Sequence, residues 1–385
     1  MDNSRGTRIP GNNRYLVKSI MHAAAVLRTF QFPGEILGLK DVASRSRLNK
    51  GLCFRVLYTL HESGLVEKVG ENQYRLAFSP ARPRKFRIGY ADQDRTSSFS
   101  REVFDGLVRA CQRAQIELIM VDNRRDPKAA LKNADRLIHE HVDLAVEFQI
   151  DEQTAPTIAS KFQNAGIPLI AIDIPHPGAV YFGADNYAAG LMAGRCLGHY
   201  VKKEWQDTAD EILLLEISQA GSLIRMRSDG MLAGIREVVP ASNKWPVLRL
   251  DAKGEFKAAL DCVRKHLRTC NAKRILVGAA NDPIALGALR AFQEAGRSSH
   301  CAVVGQNAEP EARAELRQSG TRLIGSVAYF PERYGDMIVQ LATDILVGKN
   351  VPPAEFTAHQ LITPQNVDRL YPNDSLFARV APEYN

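Results

Sequence analysis

Polar side chains stand directly after several apolar runs of this chain, where they could bind a ligand together. They comprise carboxyl groups, guanidinium groups, amides and hydroxyls, with aromatic rings nearby: Asp92, Thr96, Ser97, Ser98, Phe99, Asp173, Ser222, Arg225, Arg227, Asn281, Asp282, Gln306, Asn307 and Tyr329. A carboxylate accepts paired hydrogen bonds from hydroxyl groups, a guanidinium donates in a fork, and an amide does both. Aromatic rings can cover the apolar faces of a sugar ring. Each residue alone is more often structural, but the set predicts a site for a polyhydroxylated small molecule.

These side chains need elements that bring them together, and residues 87–366 show the pattern of a parallel α/β fold. Apolar runs of strand length alternate with segments of helical length and period, and the runs are 87–91, 116–122, 144–148, 168–173, 211–217, 275–280 and 302–306. Continuous apolar strands are typical of parallel sheets that are buried on both faces. Ligands of such folds bind at the carboxyl ends of the strands, often between two lobes. The polar residues above follow strands at that end.

The positive charge of the chain is concentrated at its N-terminal end. Residues 1–86 hold 15 Lys and Arg against 6 Asp and Glu, whereas all 385 residues hold 50 against 43. The rest of the chain is therefore nearly neutral. Clustered cations indicate a protein that binds a polyanion such as DNA. A solvated basic surface is the alternative, and charge alone slightly favours it.

Residues 14–78 have the element order of a winged helix-turn-helix. Their pattern predicts a first helix, a short second helix at 39–43, and a third helix with Asn49 as its N-cap. Two short strands joined by a tight turn follow, at 65–69 and 73–76. In such a fold the start of the third helix enters the major groove of DNA. The predicted DNA-binding residues are Lys50, Gly51, Leu52, Phe54 and Arg55 on that helix, with Arg14 along the DNA backbone.

The same segment resembles a known family. The residues LVKSIMHAAAVLRTF…LGLKDVASRSRLNKGLCFRVLYTLHESGLVEKVGENQYRLA are similar to the DNA-binding domain of IclR-type transcription regulators. Asp41, Lys50 and Arg55 match characteristic positions of that domain, whereas Gly51 and Leu52 stand where it usually has a Ser-Thr pair. The resemblance implies a winged helix-turn-helix that binds double-stranded DNA.

The larger segment resembles a second family, the sensor domain of LacI-type regulators and ribose-binding proteins. The similar pieces are SSFSREVFDGLVRACQRAQIELIMVD, GIPLIAID, FGADNYAAGLMAGRCLGHYV, RMRSDGMLAGI, ANDPIALGALRAFQEAG, VVGQNAEPEA and GSVAYFPERYGDMIVQLATDILVGK. The resemblance implies a two-lobed periplasmic-binding-protein-like fold. It implies ligand contacts at Ser97, Phe99, Asp173, Arg227, Asn281, Asn307 and Tyr329. The chain departs from the family at Ile174 (usually Arg), at Gln306-Asn307 (usually Phe-Asp) and at Tyr329 (Gln in ribose binders), so the ligand stays open.

Several functional classes lack their signatures here. Glu147 and Gln149 are interpreted as parts of a solvated loop, and Asp282 as the N-cap of a helix. No motif of a nucleotide-binding loop, a serine hydrolase or a zinc protease is present, so no enzyme and no cofactor are predicted. His139 and His141 are two residues apart and do not share a helix face, so no metal site is predicted. Six scattered cysteines, a polar N-terminus and the lack of a long apolar stretch predict a cytoplasmic protein with reduced thiols.

Together these patterns predict a cytoplasmic, homodimeric transcription regulator or repressor with no membrane partner. Its segments are a winged helix-turn-helix at 14–78, a basic linker with prolines at 79–86, a two-lobed α/β ligand-sensing domain at 87–366 and a tail at 367–385. The predicted partners are a double-stranded DNA operator and a small-molecule effector, most simply a sugar. A purine or another metabolite is one alternative effector, and a solute-binding protein for transport is the other reading.

Overall fold

The computed structural model describes residues 16–31, 34–77 and 85–374. These residues form two compact units, one before residue 78 and one from residue 85 onwards. The division falls within the segment predicted as a linker. No helix among the described residues is both long enough and apolar enough to span a bilayer.

The N-terminal unit contains three helices and a three-stranded antiparallel sheet with strand order β1-β3-β2. Its elements are α1 (Lys18–Leu27), β1 (Leu37–Gly38), α2 (Leu39–Ser46), α3 (Lys50–Glu62), β2 (Val66–Gly70) and β3 (Gln73–Leu76). Asn49 is the N-cap of α3, as the sequence indicates, because its side-chain oxygen accepts from the Leu52 backbone N–H at 2.8 Å. Leu57, Leu60 and the fully buried Cys53 line the small core.

The second unit consists of strands and helices that alternate along the chain. Its strands are β4 (Arg87–Asp92), β5 (Glu117–Asp122), β6 (Leu144–Phe148), β7 (Leu169–Ile172), β8 (Val180–Ala184), β9 (Glu211–Glu216), β10 (Val247–Asp251), β11 (Ile275–Ala279), β12 (Cys301–Asn307), β13 (Leu323–Ala328), β14 (Ala354–Thr357) and β15 (Gln360–Ile362). Its α-helices are α4 (Ser98–Ala114), α5 (Pro127–His139), α6 (Ala155–Asn164), α7 (Asn186–Glu204), α8 (Gly221–Val238), α9 (Phe256–Leu267), α10 (Asp282–Glu294), α11 (Pro310–Leu316), α12 (Tyr334–Leu346) and α13 (Val367–Leu370).

The strands form two six-stranded sheets, one in each lobe of this unit. The first sheet has the order β14-β8-β7-β6-β4-β5, and the second has the order β10-β9-β11-β12-β13-β15. All neighbours pair in parallel except β13 and β15, which are antiparallel. The predicted two-lobed α/β fold with parallel sheets is confirmed, and each of the seven predicted strands is present.

The chain passes between the lobes three times, after β8, after β13 and between β14 and β15. Helix α7 leaves the first sheet and packs on α8 of the second lobe, where glycines allow very close approach. A Cβ atom on Gly194 would lie 2.0 Å from the Met231 carbonyl oxygen, so only glycine fits there. The start of the predicted tail is also fixed, because Arg313 Nε donates to Asp374 at 2.6 Å.

Candidate ligand-binding cleft

The cleft lies between the two lobes and is lined by residues that follow the carboxyl ends of their strands. Its volume is about 630 Å³, part of which is open to solvent. Lining residues come from both lobes, for example Gln93 after β4, Asp173 after β7, Ile217 after β9 and Asn307 at the end of β12. Because parallel strands of one sheet end at the same edge, residues distant in the sequence meet here.

Six of the seven predicted ligand-binding residues line this cleft: Ser97, Phe99, Asp173, Arg227, Asn281 and Asn307. Tyr329, the seventh, is not among the lining residues. Its side chain is only 1% exposed, and its hydroxyl donates to Gln306 Oε1 at 2.7 Å. Its ring lies against the Arg227 guanidinium, 5.0 Å from the ring centroid. The Tyr329 ring therefore packs against Arg227 and supports the position of its guanidinium.

Asp173 presents a carboxylate oxygen that no described residue satisfies. It has a left-handed backbone with φ 60°, and its Oδ1 is buried without a hydrogen-bond partner among the described residues. Burial raises the pKa of this carboxyl group, while the nearby Arg227 guanidinium and the Ala184 backbone N–H act in the opposite direction. A buried oxygen without a partner is costly unless a ligand supplies the donor. Asp173 is therefore prepared to accept a hydrogen bond from a ligand.

Arg227 on α8 is held rigidly at the cleft. The side chain is 4% exposed, its Nε donates to Asn186 Oδ1 at 2.6 Å and its Nη1 donates to the Ala280 carbonyl at 2.9 Å. These bonds fix the plane of the guanidinium before any ligand arrives. A fixed guanidinium loses little freedom when it donates to an oxygen of a ligand.

Some of the predicted polar residues also have a structural role at helix starts. Asn281 is the N-cap of α10, since its Oδ1 accepts from Ile284 N at 3.0 Å, and its Nδ2 donates to the Gly254 carbonyl. Ser97 is the N-cap of α4. Asp282 was predicted as the N-cap of α10, but it is the first residue of that helix and is fully buried. It accepts from Ser326 Oγ at 2.6 Å instead.

The structure adds polar residues that the sequence reasoning missed. Arg125, Gln149 and Glu309 also line the cleft. Glu309 is 5% exposed, burial raises the pKa of its carboxyl to about 7, and its Oε1 accepts from Asn307 Nδ2 at 2.8 Å. The interpretation of Gln149 and Glu147 as a solvated loop is wrong, because both are at most 3% exposed. Only the position of Glu147 within β6, and of Gln149 just after it, could have indicated that both side chains are buried, since neither belongs to a motif.

Two phenylalanine rings provide the apolar part of the lining. Phe99 at the start of α4 and Phe148 at the end of β6 lie with ring centroids 6.2 Å apart. Phe99 also packs edge-on against Tyr334, with centroids 5.7 Å apart. The cleft thus combines carboxylates, guanidinium groups and amides with flat apolar surfaces, a combination that suits a ring carrying several hydroxyl groups.

Direct contacts join the two lobes beside the cleft. Glu152 of the first lobe accepts from the backbone N–H and the hydroxyl of Ser222 at 3.3 and 3.2 Å. Ser222 lies in the first turn of α8, so a carboxylate stands at the positive end of that helix. Arg125 donates to the Lys253 carbonyl at 3.1 Å. These contacts stabilise the lobes in the arrangement that encloses the cleft.

The predicted DNA-binding residues belong to the N-terminal unit. Lys50, Gly51, Phe54 and Arg55 are exposed on α3, and Leu52 is half-buried. Arg14 lies outside the described residues. An exposed set of this kind is equally expected of a basic surface in contact with solvent.

Comparisons with known proteins find similarity to proteins that are named for binding small solutes. The ribose import binding protein of Escherichia coli (strain K12) is 26% identical over 250 residues, which cover 64% of this chain and 80% of that protein. The D-ribose/D-allose-binding protein of Pseudomonas aeruginosa is 24% identical and covers 69% and 84%. A solute binding protein of an ABC transporter from Mycobacterium smegmatis, solved with glycerol, superposes with a TM-score of 0.66 at 22% identity, covering 74% and 96%. Another, from Bacillus halodurans with myo-inositol, gives 0.64 at 21% identity, covering 74% and 97%.

These similarities contradict part of the sequence-based prediction. The named relatives are solute-binding proteins for import, so the predictions of a DNA-binding transcription regulator or repressor, of a DNA operator as partner, of a cytoplasmic location and of no membrane partner are wrong. The alternative of a solute-binding protein agrees with them better. The error has a physical reason, since clustered lysines and arginines have the same pattern on a solvated surface as on a DNA-binding one.

The sequence profile of one family matches most of the second unit. That profile is described as a periplasmic binding protein domain, and it matches residues 88–350. The matched range begins within β4 and ends just before β14, so it includes almost all strands of both sheets. The N-terminal unit lies outside the match. The chain therefore belongs to the family of periplasmic binding protein domains.

Proposed function

We propose that the protein binds a small polyhydroxylated solute, a sugar or a compound of similar chemistry, between the two lobes of its second unit. We further propose that it serves as the solute-binding protein of an import system, outside the cytoplasm and together with a membrane transporter. The family and the named relatives support this proposal. The observation that carries it is the unpartnered buried oxygen of Asp173 in a cleft that also contains Arg227.

In this proposal different cleft residues contact different groups of the ligand. Asp173 accepts from ligand hydroxyl groups, and Arg227 donates to ring or hydroxyl oxygens. Asn307 and Asn281 contribute amide groups, and Ser97 contributes a hydroxyl. Phe99 and Phe148 contact the apolar faces of the ring. Because these groups come from both lobes, a bound solute stabilises the enclosed arrangement over a more open one.

The experiment is titration calorimetry with a small panel of solutes. The panel contains D-ribose, D-allose, L-arabinose, D-galactose and myo-inositol, with adenosine as a purine-containing alternative. We expect at least one sugar or cyclitol to bind and to raise the melting temperature by mass action. If only adenosine binds, or if no member of the panel binds, the proposal is wrong.

A variant tests the role of Asp173 directly. Asn retains the shape of Asp and tolerates the left-handed backbone at this position. Asp173→Asn removes a charged acceptor, which contributes about 1.5–3 kcal/mol, so affinity should fall by about 10- to 150-fold. The matched control is Asp207→Asn, an exposed residue with a similar φ of 58°, which should bind the solute as the unchanged protein does. Equal affinity of both variants would exclude this role of Asp173.

For the N-terminal unit we propose only a fold. The order of three helices and two hairpin strands, with β1 paired to β3, supports a winged helix-turn-helix of the type seen in IclR-like domains. Amide hydrogen exchange of the full chain tests it: α1, α3, β2 and β3 should exchange slowly, and fast exchange throughout would refute it. The homodimer stays a prediction.

A further inference from the structure

Three side chains of the types that bind metal ions meet at one point of the second lobe. His266 Nε2 lies 3.0 Å from Glu211 Oε2, and Cys270 Sγ lies 3.3 Å from the same oxygen. The three ligand atoms all lie within 4.8 Å of one another. Glu211 is the first residue of β9, at the opposite end of the strand from the cleft. The cluster therefore has no part in the solute site.

The backbone holds this cluster in place. His266 is in the last turn of α9, and the Cys270 backbone N–H donates to the His266 carbonyl at 3.1 Å. That bond continues the helical turn, so two ligands four residues apart are on the same side. Arg297 fixes the following loop, since it donates to the carbonyls of Leu267 and Cys270 at 3.2 and 2.8 Å. The ligands are thus ordered by contacts that do not depend on a metal.

The charge of Glu211 calls for a cation at this point. The residue is 8% exposed, and its carboxylate contacts the His266 ring and the Cys270 thiol. Within the part of the chain that the structure describes, its only salt-bridge partner is His266, and no lysine or arginine side chain lies within 4 Å of it. A buried carboxylate that no lysine or arginine neutralises is costly. A bound metal ion would supply the missing positive charge.

The two distances from Glu211 are compatible with a zinc ion. Bond lengths of about 2.0–2.3 Å from zinc to nitrogen, oxygen and sulfur in a tetrahedron separate the ligand atoms by about 3.3–3.6 Å. The observed separations from Glu211 need to grow by only a few tenths of an ångström to reach these values. Thiolate and imidazole ligands also favour zinc over magnesium and calcium. We propose that Glu211, His266 and Cys270 form a zinc-binding site that joins β9 to the end of α9, with a water molecule as the fourth ligand.

Binding in this site follows simple chemistry. The Cys270 thiol loses its proton to solvent and its sulfur coordinates zinc. His266 binds through Nε2 as a neutral imidazole, and Glu211 binds through Oε2. The oxidation state of every atom stays the same. One zinc ion thereby replaces the two hydrogen bonds to Glu211.

The test uses the untagged full-length protein after treatment with a chelator. Zinc is titrated by competition with a chromophoric chelator, and cobalt(II) is used separately as a spectroscopic probe. We expect one zinc per chain and a near-ultraviolet thiolate-to-cobalt charge-transfer band. Loss of an outer-shell partner of a metal typically weakens binding 10- to 100-fold, so Cys270→Ser or His266→Gln should weaken it by at least about 100-fold.

The matched control is Cys262→Ser, a half-buried cysteine on α9 that is not part of the cluster. It should bind zinc as tightly as the unchanged protein and retain the cobalt band. Circular dichroism confirms that each variant is folded. If the unchanged protein binds zinc no more tightly than Cys270→Ser, or shows no thiolate band, the contact between Glu211 and His266 is only a hydrogen bond or ion pair and the proposal is refuted. Equal loss in Cys262→Ser would also refute it.

Discussion

Glu147 in the middle of the first sheet makes the stability of the second unit depend on pH. The residue is fully buried in β6, and its Oε1 accepts from Asn123 Nδ2 at 2.8 Å. Its Oε2 has no hydrogen-bond partner among the described residues. Burial raises the pKa of this carboxyl group from 4.5 to about 8, although the bond from Asn123 acts in the opposite direction. Glu147 is therefore protonated in the folded protein at neutral pH.

The sign of the effect follows from the two protonation states. Below pH 4.5 the carboxyl is protonated in both the folded and the unfolded chain, so its contribution to stability is complete there. As pH rises from 4.5 towards 8, Glu147 ionises in the unfolded chain but not in the folded chain, so the unfolded state is stabilised relative to the folded state. Each pH unit in the middle of this range costs about 1.4 kcal/mol, and the slope is smaller near both pKa values, so the contribution lost between pH 5 and pH 8 is about 3.5 kcal/mol.

Glu147→Gln should remove this loss, because glutamine is neutral at every pH and retains an oxygen for Asn123. We expect the free energy of unfolding of the variant, relative to the unchanged protein, to rise by about 3.5 kcal/mol between pH 5 and pH 8. Urea denaturation at pH 5, 6, 7 and 8 measures it. Tryptophan fluorescence follows the correct unit, since Trp205 and Trp245 both belong to it.

The control is Asp105→Asn, an exposed carboxyl group on α4 of the same lobe. Its difference from the unchanged protein should be nearly independent of pH. A Glu147→Gln difference that is equally flat, or that falls as pH rises, would show that burial does not hold this carboxyl in its protonated form.

Three further predictions concern packing and the cleft. Gly194→Ala places a methyl group against a carbonyl of α8. The cost of overpacking, about 1–3 kcal/mol, exceeds the gain in helix propensity of about 1 kcal/mol. The melting temperature, followed by tryptophan fluorescence, should therefore fall. Tyr329→Phe leaves the buried Gln306 amide oxygen without its donor, so urea denaturation should show a loss of about 1–3 kcal/mol, while calorimetry shows nearly unchanged solute affinity. Glu152→Gln removes a charge from the start of α8, and calorimetry should show a roughly two- to fivefold loss of solute affinity. Constant affinity would mean that the contact of Glu152 with Ser222 does not stabilise the enclosed arrangement.

The sequence predicted the elements that have a strong local signal. Strands such as β6, β9 and β11 are buried along nearly their whole length, so each reads as a continuous apolar run. The sequence missed β10, which is half-buried, and short strands at sheet edges such as β14 and β15. It also missed β8 and β13, although both are mostly buried. Short or partly exposed strands are specified by their pairing with neighbours, which a local pattern does not show.

The resemblance to ribose-binding proteins supplied Ser97, Phe99 and Arg227, whereas the sequence pattern alone pointed to residues that end a strand or directly follow one. Asp173 and Asn307 are of this kind, and both lie in the cleft. Arg125 and Glu309 lie there too, but neither directly follows a strand: Arg125 is placed by its bond to Lys253 of the other lobe, and Glu309 by its bonds with Asn307 and Asp282. Tyr329 follows β13 directly, yet its ring packs behind Arg227 and not into the cleft.

By itself the sequence determined the α/β alternation of residues 87–366, the caps and turns of the N-terminal unit, and the types of polar group at the strand ends. These follow from hydrophobic periodicity and local hydrogen bonding, which act over a few residues. Only the tertiary structure decided which groups meet: Glu211 lies 55 residues from His266 along the chain, and the two are in contact because β9 and α9 pack in one lobe. Likewise, the charge pattern of residues 1–86 was present in the sequence. The effect of a charge depends on the groups and the solvent around it, so the pattern alone predicted the wrong partner. Proximity between distant residues is produced by burial of the whole core, and no local pattern encodes it.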